Sequence, residues 1–558
     1  MGAAPSISSP CQCHSGENEV EDVEAIEALP SVTLPGKTTN TPKKEIIEVL
    51  GLESFEETTR VTEAAEDPEN WGVNSKIRRS LLLERKLHSD TEIMRGISLM
   101  HTLRNFGVLW RASPLDMKDE QRLELWNRTR KVNEFDVFLS HTWHTRGLWK
   151  FLSLSLQLSW LQILLWWLLA MVLFELLFFV DILPPLAKPW KVSYVHQNYA
   201  AEIDWHIWGS SLAPAVSVMC FLITPYMPCM RDKHCFLDVA SINQSDETLK
   251  ERGIYGLGGF LKASKELRIM WSPPYLSRLW CIFEVAAYRM ANPNGKISVR
   301  PLFVEITVLA SWTGVLLTNA FLNLTMAFTT IGATFGIFTL IIAMVPCLFI
   351  FHSLRKNFLS KQQLFGDIQN FDLDAVECRV DFDKKFVHAA IAEWYGGAAA
   401  FTEHVRGPLR EELMKDHLAR IPLGYCLIII TPLLGTGLSS SVSLLKAGVP
   451  MNITLSYFIG VVLGIDTCWL LLMIQLALYI CERFARPCRP GVACLAFVET
   501  FIMFIVFSTV ATCGAFLAFI AIARGVVGSS VWCLITACIL WLVNGGCAQL
   551  EKLRHHLA

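Results

Sequence analysis

Charge is scarce in this chain. Only 18% of its 558 residues are Asp, Glu, Lys or Arg, against about 25% in soluble domains. Hydrophobic residues reach 52% and the mean hydropathy is +0.38, which excludes an ordinary soluble protein. Net charge is lacking too: 49 basic and 51 acidic residues leave −2, so nothing in the balance points to nucleic acid or another polyanion. The 17 cysteines show neither the spacing of a secreted disulfide framework nor a CxxC metal pair. They read as reduced, mostly structural thiols. A basic stretch followed by an apolar one, the mark of a cleavable signal peptide, is missing from the first residues.

What those residues do carry is MGAAPS, the myristoylation pattern of Gly2 with a hydroxyl at position six. Cys11 and Cys13 follow, placed to take palmitate as the second anchor that stable attachment requires. His14 would add a third metal donor, but acylation suits a CxC beside Gly2 better. A lipoprotein with a cytosolic N-terminus is the expectation. Residues 1–73, acidic and poor in aromatics, read as a disordered tail. Residues 74–133 read as amphipathic helix, with Ile77, Leu81 and Leu82 among charges and a break near Pro114.

Length then predicts the membrane part, since a helix needs roughly 20 apolar residues to cross a bilayer. About eight segments qualify: 160–180, 207–227, 302–322, 326–351, 422–445, 454–480, 492–523 and 530–550. Every large polar segment follows an even number of them, so all would share one side with the N-terminus. Basic residues such as Arg146, Arg231, Lys233, Arg300, Arg355 and Arg483 crowd that side, while the other offers only Lys188, Lys191, Lys446 and Arg524. The positive-inside rule makes the crowded side cytosolic. Which membrane is used, plasma membrane or endomembrane, does not follow. Two glycosylation sequons, at Asn323 and Asn452, fall on the far side.

Three polar-side stretches carry a different signal. FDVFLSH (135–141) is an apolar run rich in β-formers, suited to a buried parallel strand. CFLD (235–238) reads as a second short strand ending in a carboxylate. WSPPYLSRLWCIFE (271–284) follows a third strand, LRIM (267–270), and leads into a helix from Leu279.

In order and spacing these stretches resemble the TIR-domain family. The overall arrangement also resembles multi-pass membrane proteins of dinoflagellate algae. The TIR resemblance implies a flavodoxin-like α/β domain with a parallel sheet, combined here with an all-α region of about eight transmembrane helices. The domain would be split, 134–154 plus 231–303, around an inserted hairpin at 158–228. A fourth strand at 297–303 precedes a second hairpin at 302–351. The segment 352–420 either completes the domain, with VECRV (376–380) as fifth strand and 383–394 as closing helix, or forms a separate helical unit. Four further spans occupy 421–550.

The resemblance also assigns roles. In members that hydrolyse NAD⁺ the Glu of the WCxxE box is catalytic, which here is Glu284. Breaking the nicotinamide–ribose bond develops oxocarbenium character that a carboxylate can stabilise. Trp280, four residues away, shares its helix face. Ser140, His141 and Trp143 leave the first strand at its carboxyl end, where open α/β sheets bind ligands, and Trp143 is placed to stack on a ring. Asp238 ends the neighbouring strand and completes the substrate-binding set. NAD⁺ would be a substrate, and no bound cofactor or metal is expected.

Other readings stand beside these. Glu284 is equally placed to pair with Arg278 or Arg289, and Trp280 to be core. The chain has His144-Thr145 where many active members carry an acidic pair, and its loop 241–246 lacks the usual glycine. Many TIR domains act only as self-associating scaffolds or sensors. A membrane-anchored TIR-like scaffold or sensor at the cytosolic face is the function expected first, with NAD⁺ hydrolysis by Glu284 as the alternative. A homo-oligomer is the expected partner alongside membrane lipid. Glycines 253, 256, 258 and 259 lack the Lys-Ser/Thr of a phosphate loop and read as a helix start. Glu175, Asp466 and Glu499 inside the spans either line an ion path, as in a channel or transporter, or bond neighbouring helices.

Overall fold

A computed structural model describes residues 90–111, 117–186, 190–194, 199–227, 232–328, 333–376, 378, 381–415, 421–487 and 493–545. The tail 1–73 and the lipidation residues Gly2, Cys11 and Cys13 lie outside them. So do three of the five residues in the expected strand at 376–380.

The sheet strands in chain order are β1 (Arg95–Ser98), β2 (Arg130–Lys131) and β3 (Val137–Ser140). A separate hairpin of β4 (Trp190–Tyr194) and β5 (Tyr199–Ile203) comes next. The remaining sheet strands are β6 (His234–Phe236), β7 (Glu266–Trp271) and β8 (Lys296–Pro301). The six lie side by side as β2-β1-β6-β3-β7-β8. β6, β3, β7 and β8 run parallel, in register through pairs such as Val137 with Cys235 and Phe138 with Leu267. Their order is the 2-1-3-4 of a flavodoxin-like sheet.

β1 runs antiparallel to both β2 and β6, so the sheet is mixed where the sequence reading has it parallel. An antiparallel edge on a parallel sheet is a common arrangement. This edge comes from the region read as amphipathic helix. β1 buries only Gly96 and Ile97, too few inward residues for strand alternation to register in sequence. The described helices in that region are short: α1 (Asp119–Arg128) and a turn at Arg104–Arg111 that opens through left-handed Asn105, Phe106 and Gly107.

Alternation along the parallel strands builds two cores. Phe138, Phe236, Leu267, Ile269 and Trp271 point to one face; Val137, Leu139, Cys235 and Met270 point to the other. Each fully buried large apolar side chain contributes about 1.5–3 kcal/mol, and Phe138 stacks on Phe236 with ring centroids 4.3 Å apart.

The helices continue as α2 (Gly147–Phe179), α3 (Trp208–Ile223), α4 (Asp238–Ser241), α5 (Glu247–Tyr255), α6 (Leu257–Lys262) and α7 (Leu279–Ala291). Then follow α8 (Leu302–Phe328), α9 (Ala333–Gln369) and α10 (Asp381–Tyr395). α2 and α3 form the first hairpin, inserted between β3 and β6, which nonetheless pair directly. α8 leaves β8 without a break, and α9 returns to place Leu364 and Ile368 in the first core. Phe386, Val387 and Ile391 of α10 join them there. Both hairpins therefore begin and end at the sheet.

The last helices are α11 (Ala398–His404), α12 (Leu423–Lys446), α13 (Met451–Tyr457), α14 (Leu470–Arg483), α15 (Ala493–Ala523) and α16 (Gly525–Val543). A π-helical stretch, Phe458–Trp469, joins α13 to α14. Among the described residues seven helices are long and apolar enough to cross a membrane, as in a multi-pass membrane protein. They answer to seven of the eight expected segments; the other, 326–351, overlaps α9.

The intramembrane carboxylates are packed against neighbouring helices. Glu175 accepts a hydrogen bond from Ser439 at 2.5 Å, Arg355 donates to Glu499 at 2.5 Å, and Asp466 lies against Gly437. A Cβ on Gly437 would come within 2.1 Å of an Asp466 carboxylate oxygen, so the close approach depends on glycine there.

Candidate functional site

β3 ends at Ser140 and β7 ends at Trp271, side by side at the carboxyl edge of the sheet. This is the crevice where a 2-1-3-4 strand order reverses and where ligands bind in such sheets. Alternation turns Ser140 to the same face as Phe138. Its hydroxyl donates to the Glu284 carboxylate from α7 and lies 2.5 Å from the Tyr275 hydroxyl. The Ser272-Pro273-Pro274-Tyr275 turn makes this meeting possible. Its prolines begin a short 3₁₀ turn straight after the strand, which swings the Tyr275 ring back beneath the strand ends. Thr145 and Ser272 join the two strand-end loops, their hydroxyls 2.5 Å apart.

Glu284 makes no ion pair with Arg289, whose guanidinium pairs with Glu412 instead. Burial pushes the Glu284 carboxyl up to about 8; the Ser140 hydrogen bond works against the shift and the Asp238 charge adds to it. Burial likewise raises the Tyr275 phenol and the Cys281 thiol well above their ordinary values. A half-buried carboxyl displaced in this way at a sheet's switch point is a candidate functional group.

A second cluster adjoins the first. Trp143 donates its indole N–H to Asp238 at 2.7 Å. The strand expected to end in Asp238 stops at Phe236, and Asp238 instead opens α4, accepting from the Val239 amide at 2.7 Å. His141 packs edge-on to Trp110 and Trp143, at 5.3 and 4.9 Å. Its Nε2 is buried without a hydrogen bond. Burial, with the Lys150 charge behind it, holds the imidazole down at about 4, so it stays neutral at physiological pH.

The structure thus brings Ser140 to Glu284, and Trp143 to Asp238 with His141 beside them. Trp280 belongs elsewhere: its indole N–H donates to Asp383 at 3.3 Å and its ring packs against Phe386 at 5.7 Å, tying α7 to α10. Two residues escaped the sequence reading. Tyr275 was visible inside its box, but its role as a bridge needs the turn to be folded. Lys150, which reads as a membrane-flanking cation, is buried with its ammonium 4.8 Å above the Trp143 ring and no hydrogen-bond partner. Among the described residues no group of three or more His, Cys, Asp or Glu side chains is gathered to hold a metal.

No family model, curated protein or solved structure matches this chain. The class defined by fold and sequence together is a multi-pass membrane protein with a mixed α/β sheet interleaved between its spans.

Proposed function

We propose that this is a membrane-held signalling protein whose α/β layer is a TIR-like domain on the cytosolic face, with Glu284 cleaving the nicotinamide–ribose bond of NAD⁺. The observation that carries the reading is Glu284 itself, a carboxyl held at the switch point with its ionisation displaced to about 8. The substrate supplies what the site lacks. A nicotinamide ring bears a positive charge, and a cation beside a buried carboxyl favours its ionised form. Binding would thereby create the carboxylate that stabilises the oxocarbenium-like transition state. Water adds to the ribose carbon as its bond to the ring nitrogen breaks. Nicotinamide leaves with the electron pair, and the products are nicotinamide, ADP-ribose and one proton.

A self-associating scaffold or sensor is the second reading, and one observation favours it. The site's two carboxylates are already matched by neighbours, Glu284 with Ser140 and Asp238 with Trp143. The discriminating experiment measures nicotinamide release by the full-length protein, reconstituted at high density in liposomes, beside Glu284→Ala. Release by the wild type alone supports the hydrolase. Silence from both, with self-association confirmed by crosslinking, removes the hydrolase and leaves the scaffold.

A further inference from the structure

Where the spans meet the α/β layer, a cavity of about 310 Å³ opens between α8, α9, α14 and the end of α16. None of the candidate site residues lines it. Its volume falls within the roughly 300–1,000 Å³ of small-molecule sites, and its wall is divided. Leu354, Phe358 and Leu478 line it with apolar side chains, while Thr307, Asn357, Lys361, Gln475 and Glu482 supply polar groups. Two lining residues mark where it opens. Tyr479 is 63% and Val543 46% exposed, both on helices long and apolar enough to cross the bilayer, so the mouth faces lipid. The depth is fixed by the chain: Phe303 and Val304 follow directly from β8, and Glu482 is next to the last residue of α14. This is headgroup level, in the leaflet on the sheet's side.

The polar wall bears one charge of each sign. Lys361 reaches Glu482 at 2.7 Å; the lysine side chain is only 7% exposed, the glutamate 47%. An ammonium has three donors, so Lys361 can serve an anionic oxygen while keeping its partner. The open side of Glu482 and the face of Tyr479 suit a cation. A lone anion would meet Glu482, and a lone cation would meet Lys361. A zwitterion meets neither problem.

We propose that this cavity is a phospholipid site, taking a zwitterionic lipid from the leaflet beside the sheet. Its phosphate is received by Lys361, its ammonium by Glu482 and Tyr479, and its chain lies along Leu354 and Leu478. The site is wired to the sheet. Phe303, on the cavity wall, packs edge-on to Trp271 at 6.0 Å, and Trp271 ends β7 beside the turn that holds Tyr275.

The test uses the full-length protein in nanodiscs doped with a photoactivatable phosphatidylcholine, or with a phosphatidylglycerol carrying the same diazirine chain. Adducts are mapped by mass spectrometry. The expected result is phosphatidylcholine label concentrated on Leu478, Tyr479 and Val543. It should fall at least about fivefold, or 1 kcal/mol, in Leu478→Trp, which fills the cavity, and phosphatidylglycerol should label the same residues more weakly. Should Leu478→Trp lower the melting temperature, Val304→Phe fills the opposite wall and takes its place. Label spread evenly over outward residues such as Leu517 and Phe519, unchanged by either variant, would overturn the site. Equal labelling by the two lipids would overturn its head-group assignment. The readout is binding, so neither result bears on NAD⁺ cleavage.

Discussion

Ser140 donates its hydroxyl to Glu284 across 144 residues of chain, and two of the seven candidate spans lie between them. The bond joins the end of the central strand to the first half of α7, and it opposes the burial that raises the Glu284 carboxyl. Removing it should therefore move chemistry as well as packing. Ser140→Ala is expected to push the Glu284 ionisation higher still. Nicotinamide release near pH 7 should fall and recover as the pH is raised, with the pH–rate profile displaced upward. A uniform loss at all pH values would show that Ser140 serves packing only.

Glu284→Gln separates charge from shape. The amide oxygen still accepts from Ser140, but no carboxylate can form. Release should drop by about 100-fold or more, the scale of a lost acid–base or electrostatic group, while thermal unfolding stays within a few degrees of wild type.

The same residue sets a pH signature of stability. Its folded pKa, about 8, lies above the unfolded value of about 4.3. In that window the folded state holds a proton that the unfolded state has released. Stability is full below the unfolded value and declines as the pH rises toward 8. His141 has the opposite sense: depressed to about 4, it contributes stability above about 6.5 that is lost as the pH falls toward 4. Between pH 6.5 and 8 only Glu284 of the two titrates. Melting temperature of the detergent-solubilised protein should fall across that interval in the wild type and stay flatter in Glu284→Gln. Parallel slopes for the two proteins would contradict the displaced ionisation.

Arg355 decides what Glu499 is for. Its guanidinium donates to Glu499, to the Phe484 and Ala496 carbonyls, and to the Thr500 hydroxyl, locking α9 to α15 and to the end of α14. Breaking one side of a buried pair costs about 3–5 kcal/mol. Glu499→Gln or Arg355→Met alone should sharply lower the melting temperature, and the double Met substitution should recover part of the loss. A stable Glu499→Gln protein with altered ion conductance would instead revive the channel reading.

At the junction of loop and bilayer helix, an added methyl should be costly. A Cβ on Gly147 would sit 1.8 Å from the Trp110 carbonyl oxygen, a backbone atom that cannot swing aside. Gly147→Ala should destabilise by roughly 1–3 kcal/mol, read as earlier thermal unfolding, with Gly366→Ala, which meets nothing within 4 Å, as the silent control.

The sequence exposed the parts whose signal is local. The parallel strands β3, β6 and β7 could be read from short apolar runs, and β8, KISVRP, only from its place after them. The spans could be read because length and hydropathy suffice. Glu284 came through its box. The missing parts depend on tertiary partners. β1 has only two buried residues, and its partner β6 lies 138 residues away, Ile97 against Cys235. α2 begins at Gly147 rather than near Trp160 because Ser153, Gln157 and Ser159 lower the hydropathy without breaking the helix. Ser153 donates to Glu305 at 2.9 Å and Ser159 to the Ser155 carbonyl at 2.6 Å, so their polarity is met inside. The Tyr275 bridge required two loops to meet, which no spacing predicts.

That early start of α2 has a mechanical consequence. Its 33 residues make a rod of about 50 Å, with Phe151 and Leu154 set in the sheet's second core and its later turns, through Ile163, Trp167 and Met171, packed among the spans. On the opposite face α9 does the same through Leu364 and Ile368. Long helices answer a thinner bilayer by tilting, and a tilt here levers both faces of the sheet at once. Bilayer thickness is thus expected to reach the strand ends through both helices.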